Sequence, residues 1–219
     1  MTDRPILFSA PMVRALLDGR KTQTRRIFKG IEAFGEEFHV FNAHGGVLGV
    51  REEDVPSAAL DYAPYAPGDR LWVREQWGTF SDLSHIRPAE LPRDARIFYQ
   101  PAASYPRHDP FQSRIRPGIH MPRWASRLTL IVTDVRVQRL QEISSSDLAA
   151  EGMFSHDFLT TKGDWLERGF KSIEQCRFHD LWNSLNATRG FGWDANPWVV
   201  AVSFRVIPQN IDQIDKEAA

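Results

Sequence analysis

The feature that most restricts the fold is the run Arg127-Leu128-Thr129-Leu130-Ile131-Val132-Thr133-Asp134-Val135-Arg136-Val137-Gln138-Arg139-Leu140, which contains neither glycine nor proline. Its second half alternates apolar and polar residues, as a strand exposed on one face must. A strand of this length cannot satisfy its backbone alone, so it demands partners. Four further segments read as strands: Ile6-Leu7-Phe8, Arg70 to Trp77, Ala95 to Gln100, and Pro197 to Val206. Three read as helices. Pro11 to Asp18 has a proline suited to a first turn, and Met12, Ala15 and Leu16 fall on one face. Ser144-Ser145-Ser146-Asp147 is a capping signal for a helix that ends at Gly152, and Ile173 to Leu185 places Cys176, Leu181 and Leu185 toward a core. Several non-consecutive strands with few short helices predict an α+β fold, a small mixed β-barrel with helical covers.

Between these elements lie weakly patterned stretches. Residues 30–66 read as irregular or hairpin-like, residues 101–120 as a long ordered loop, and residues 154–168 as a polar insertion. The expected organisation is one domain over 1–207, with insertions near 30–66, 78–118 and 154–168, and a flexible tail at 208–219. The 219 residues suffice for one large domain or two small ones. Cys176 is the single cysteine, which excludes an internal disulfide and a cysteine-rich metal centre. The seven histidines show no ligand spacing, and Gly45-Gly46 is too isolated for a phosphate loop, so no metal or cofactor is expected. No stretch resembles a leader or a membrane span, and the chain is expected to be cytoplasmic.

The run Gly19-Arg20-Lys21-Thr22-Gln23-Thr24-Arg25-Arg26 carries the clearest chemistry. Gly19 sits where a helix ends, because glycine takes the left-handed turn cheaply. The cations that follow sit at the carboxyl end of that helix, where positive charge is favourable. The plain alternative is a solvated basic turn. Lysines number only five among the 27 basic residues, the rest being arginine. Arginine suits phosphates and carboxylates, whereas lysine can lose its proton when buried, and this marks Lys21 as a catalytic candidate.

The net charge of −1 excludes a uniformly basic nucleic-acid binder and leaves room for a local basic face. Two segments qualify: Arg14, Arg20, Lys21, Arg25, Arg26 and Lys29 against Asp18 alone, and Arg114, Arg116, Arg123 and Arg127 with no acid among them. Beside Arg123, Trp124 offers either a stacking platform for a base or a core residue, and His120 is a candidate phosphate contact.

The order of helix, cationic run, Pro67-Gly68-Asp69 before a strand, and serine-capped helix ending Ala150-Glu151-Gly152 resembles the ASCH family of the PUA-like β-barrel superfamily. The elements Ile119 to Arg127 and Trp193 to Trp198 are similar to a longer subgroup common in bacteriophages and prophages. The resemblance implies a barrel of about five or six strands with helices flanking a cleft. It also implies a ligand, either RNA or a modified nucleoside. Small bacterial members remove the acetyl group of N4-acetylcytidine with a lysine, a threonine and a glutamate. The spacing K-x-x-T places the first two at Lys21 and Thr24, and the glutamate of the last helix falls at Glu151. Arg20, Arg25, Arg26, His120, Arg123 and Trp124 are then the expected ligand contacts. Other members bind or cleave RNA.

Three functions follow as alternatives: a hydrolase acting on an acylated base or on RNA, a non-catalytic module recognising RNA or a modified base, and a phage interaction protein with a basic face. Lys21 with Glu151 supports either acid–base chemistry or a salt bridge that holds turn to helix.

Overall fold

The computed structural model describes residues 1–41, 46–100, 115–153 and 164–214. In chain order the elements are β1 (Asp3–Leu7), α1 (Ala10–Leu17), β2 (Gln23–Ile27), β3 (Ile31–Phe34), β4 (Glu37–Phe41), β5 (Val47–Val50), α2 (Val55–Leu60), β6 (Arg70–Arg74), β7 (Trp77–Thr79), β8 (Ile97–Tyr99), β9 (Thr129–Arg139), α3 (Ser145–Ala150), α4 (Asp164–Glu167), α5 (Ile173–Asn186) and β10 (Trp198–Ile207). The class is α+β, as expected. Among the described residues the strands form one five-stranded, one three-stranded and one two-stranded sheet.

The chain separates into two compact units, one of residues 1–19, 67–133 and 204–219, the other of residues 20–66 and 134–203. The long strand explains how one sequence feature serves both. In β9, Thr129 to Val132 are buried in succession, and alternation begins after Thr133, where Val135 and Val137 are buried beside exposed Asp134 and Arg136.

In the first unit, β1 runs parallel to β6 from Asp3 opposite Arg70 to Leu7 opposite Arg74. Pro5 is tolerated because β1 is an edge strand, where a missing N–H costs no ladder bond. β6 then pairs antiparallel with β9, Arg70 opposite Ile131 and Trp72 opposite Thr129. In α1 the buried face is Val13, Ala15 and Leu16, with Met12 only half-buried. The helix ends as its sequence predicts, with Gly19 at φ 69°. The strand expected at Ala95 to Gln100 forms as β8 and pairs with β7, and the Phe98 ring lies where a side chain on Gly78 would stand. Trp77, Leu91, Met121 and Ala125 form the core beneath it.

Residues 208–214, expected as part of a flexible tail, dock in this unit. Ile211 and Ile214 are buried, Arg70 donates to their carbonyls at 3.4 and 3.1 Å, and Asn210 Nδ2 donates to the carbonyls of Arg123, Trp124 and Ser126. Two isoleucines three apart were too sparse a signal to reveal this in a polar segment.

In the second unit, β2 pairs antiparallel with β10, from Gln23 opposite Ser203 to Ile27 opposite Val199. The stretch read as irregular or hairpin-like holds an antiparallel meander, β3-β4-β5, followed by α2 with Val55 and Ala59 buried. The core gathers Leu140, Ile143, Leu148, Phe178, Trp182, Trp193 and Val199. On α5 the buried stripe is Cys176, Phe178, Trp182 and Asn186, whereas Leu185 is exposed. The larger aromatics take the core face, leaving Leu181 half-buried and Leu185 turned outward. Residues 101–114 of the expected long loop, residues 154–163 of the polar insertion, and Gly45 lie outside the described residues.

Candidate functional site

The second unit holds four charged side chains in one buried group: Lys21, Arg25, Asp147 and Glu151. Three local devices position them. Beyond Gly19 the chain runs extended, and the Thr22 amide donates to the Ala150 carbonyl at 2.8 Å, satisfying an open end of α3. Ser144 caps α3 with its hydroxyl on the Asp147 amide at 3.1 Å, and the Asp147 carboxylate returns to the Ser144 amide at 3.3 Å. This reciprocal cap sets Asp147 in the first turn and Glu151 at the C-cap. Finally, β2 alternates, so Gln23 and Arg25 share a face, and Arg25 NH1 donates to Gln23 Oε1 at 2.6 Å.

At the centre, Lys21 Nζ lies 2.6 Å from Glu151 Oε2 and also donates to the Glu151 carbonyl at 3.1 Å. The ammonium therefore meets both a carboxylate and the carboxyl end of α3, where cations are stabilised. Arg25 NH1 reaches Glu151 Oε1 at 3.2 Å, so one carboxylate serves two cations. Arg25 NH2 lies 2.8 Å from Asp147 Oδ2, an ion pair by distance that is off the axis of a hydrogen bond, while Arg25 Nε is buried with no hydrogen-bond partner among the described residues. Asp147 Oδ1 accepts from Arg136 at 2.8 Å. Gln23 Nε2 donates to Ser203 Oγ at 3.1 Å and closes the group against β10.

The electrostatics follow from this packing. Burial pushes the Lys21 ammonium below its ordinary value, outweighing the upward pull of Glu151, and Arg26 and Arg25 push it the same way as burial. For Asp147, burial favours the neutral acid, yet the Arg136 hydrogen bond, the Arg25 charge and the Ser144 cap together hold its carboxyl well below the usual carboxylate range. Lys21 is thus a buried cation whose proton affinity is lowered by burial despite its carboxylate partner.

The other candidates divide by unit. Thr24 is buried on β2 opposite Val202, on the face away from Gln23 and Arg25, and Arg26 is half-buried on that same face. Arg20 is half-buried. Arg25, expected to contact ligand, has a fully buried side chain engaged by carboxylates, because alternation of β2 turns it inward.

His120, Arg123 and Trp124 belong to the first unit. There His120 is exposed. Arg123 is committed to Asp3 and Asp212, at 2.6 Å from each. Trp124 is half-buried against the Trp77 and Met121 core, which answers its open choice largely in favour of packing. Arg116 donates to the carbonyls of Leu83, Ser84 and Ile86, and Arg127 binds Glu75 through two nitrogens. The second basic segment therefore spends its guanidinium groups on its own fold, and Arg114 lies outside the described residues.

Sequence reasoning missed Asp147, Arg136 and Gln23 as members of the group. The signals were present: an acid at the third position of a cap, an arginine on the exposed half of an alternating strand, and a glutamine two before an arginine. Each reads locally as ordinary surface chemistry. Among the described residues no cluster of histidine, cysteine and carboxylates could hold a metal ion, and no helix is long and apolar enough to cross a membrane.

No family model matches this chain, and no curated protein does. Among solved structures it is similar to protein EF3133 from Enterococcus faecalis V583, of family DUF984, at 12% identity over 98% of this chain and 86% of that one, with a TM-score of 0.41. It is also similar to an ASCH domain from Lactobacillus crispatus JV V101, at 10% identity over 94% of this chain and 79% of that one, with a TM-score of 0.38. Neither supplies a residue of the site, which rests on the geometry above.

Proposed function

We propose that this chain is an ASCH-type protein that binds RNA or a modified nucleoside and hydrolyses the amide of an acylated base at Lys21 and Glu151. The observation that carries the reading is the buried 2.6 Å contact between these two side chains, with burial lowering the proton affinity of the amine. Transfer of the Lys21 proton to Glu151 leaves a neutral amine and a carboxylic acid, a pair suited to opposite tasks. The amine takes a proton from water as its oxygen adds to the acyl carbon. The Glu151 acid then protonates the departing base nitrogen, so one water is consumed and an acid and an amine are released. Arg25, with its Nε lacking a partner, stabilises charge developing on the acyl oxygen. Thr24, on the other face of β2, has no part in this scheme.

The burial of Lys21, at 1% exposed, favours a second reading: a recognition module in which the pair is structural. The two separate on one experiment. Purified protein, Lys21→Met and Glu151→Gln are each incubated with N4-acetylcytidine and with a short single-stranded RNA. Cytidine and acetate from the wild type alone support hydrolysis. Salt-sensitive RNA binding retained by all three proteins, without product, supports recognition. No product and no binding overturns both.

A further inference from the structure

Besides the charged group, the second unit contains a cavity of about 420 Å³, lined entirely by other residues of that unit. This volume lies within the range of small-molecule sites, which run from about 300 to 1,000 Å³. Its wall is aromatic. The Phe170 and His179 rings stand 4.8 Å apart by centroid, and Trp193 lies 5.8 Å from His179. Both nitrogens of His179 are already engaged, Nδ1 by Arg168 or by Asp180 according to its tautomer and Nε2 by Asn183, so the ring offers a face and no free polar edge. The Arg168 guanidinium is likewise held by Asp180 at 2.6 Å.

Two amides line the same space with complementary groups left over. Gln141 donates through Nε2 to the Trp193 carbonyl at 2.9 Å, which leaves Oε1 as an acceptor. Gln175 accepts through Oε1 from the Lys171 amide at 2.8 Å, which leaves Nε2 as a donor. Lys171 and Asp194 also line the cavity, are exposed, and have no ion-pair partner among the described residues.

We infer that this cavity binds a nucleoside 5′-phosphate, either free or as the end of an RNA chain. The aromatic wall stacks the base, a contact that tolerates any base because each has a π-face. The Gln141 acceptor and Gln175 donor match the adjacent donor and acceptor of a base edge. Lys171 receives the phosphate, and Asp194 accepts from the ribose hydroxyls. The inference stands independently of the hydrolase reading, since the two sites share no residue.

The test is calorimetric titration of the full chain with AMP, GMP, CMP and UMP, beside Lys171→Glu and Asp194→Ala. Both changes are on exposed side chains, so folding is retained. At least one nucleotide binds the wild type; Lys171→Glu weakens it by about tenfold or more through charge reversal. Asp194→Ala abolishes a preference for ribose over 2′-deoxyribose. Competition by a 5′-phosphorylated RNA tetramer identifies an RNA end as the ligand, and its failure to compete identifies the free nucleotide. No saturable binding of any mononucleotide at millimolar concentration, or equal affinity in Lys171→Glu, overturns the inference. Binding that survives in a protein without hydrolytic activity leaves this inference standing while the hydrolase reading falls.

Discussion

The two units each contain a knot of cations on carboxylates, and the knots behave differently. In the second unit, Lys21, Arg25, Asp147 and Glu151 are closed from water, with the Lys21 and Arg25 side chains 1% and 0% exposed. In the first unit, Arg70 binds Asp3 through two nitrogens while Arg123 bridges Asp3 and Asp212, and the Arg123 and Asp212 side chains are 37% and 54% exposed. The hydrogen bond from Arg70 leads the lowering of the Asp3 carboxyl, and the hydrogen bond to Asp212 leads the raising of Arg123. Partners thus decide the direction in the open knot. In the closed knot burial dominates Lys21 and overrides its partner. The comparison teaches that the proton affinity of a paired cation falls only where desolvation outweighs the attraction of its partner.

The sharpest way to break this contrast is Glu151→Gln. It leaves the Lys21 and Arg25 charges buried with a neutral partner, and a loss of about 3–5 kcal/mol is expected by urea unfolding. A loss below about 1 kcal/mol would show that water reaches the pair and that the closed knot is no different from the open one.

Asp147→Asn comes next, at about 2 kcal/mol near neutral pH, since it removes hydrogen bonds from a charged acceptor. Its pH dependence tests the electrostatics. The Asp147 carboxyl is depressed in the folded state, so its contribution is complete above the ordinary value of 3.8 and disappears as pH falls toward the lower folded value. The stability gap between wild type and Asp147→Asn should therefore narrow on acidification from about pH 5 to about pH 2. A gap that stays constant would sink the assignment.

Arg123→Ala, in the open knot, should cost less than about 1 kcal/mol and lose even that in high salt, as differential scanning calorimetry can check. Thr24→Val should have the smallest effect, within about 0.5 kcal/mol of wild type, because the replacement matches its shape. Turnover of N4-acetylcytidine by that variant should match the wild type; a large fall would give Thr24 the role that the family resemblance implies.

Much of the local structure was legible. The capping box at Ser144 and the helix stop at Gly19 each depend on a few neighbouring residues, and both form as read. The alternation in the second half of β9 is equally local. Less legible was the face on which a residue ends up. Leu185 and Trp182 both suit a core by composition, and only packing against Phe178 and Trp193 decides between them. Arg25 and Arg123 read alike as surface cations, yet one is closed in and the other half open.

By itself, the sequence determined the α+β class and the ends of its helices, because caps, glycine turns and periodicity act over a few residues, whereas the pairing of Lys21 with Glu151, 130 residues apart, was implied only by the family resemblance. The tertiary structure alone decided that Asp147, Arg25 and Gln23 surround that pair, that residues 208–214 dock, and that the arginines of the second basic segment bind their own unit. Those outcomes depend on which segments distant in sequence come within a few ångströms and exclude water. Coulomb and desolvation energies change most steeply over just those distances.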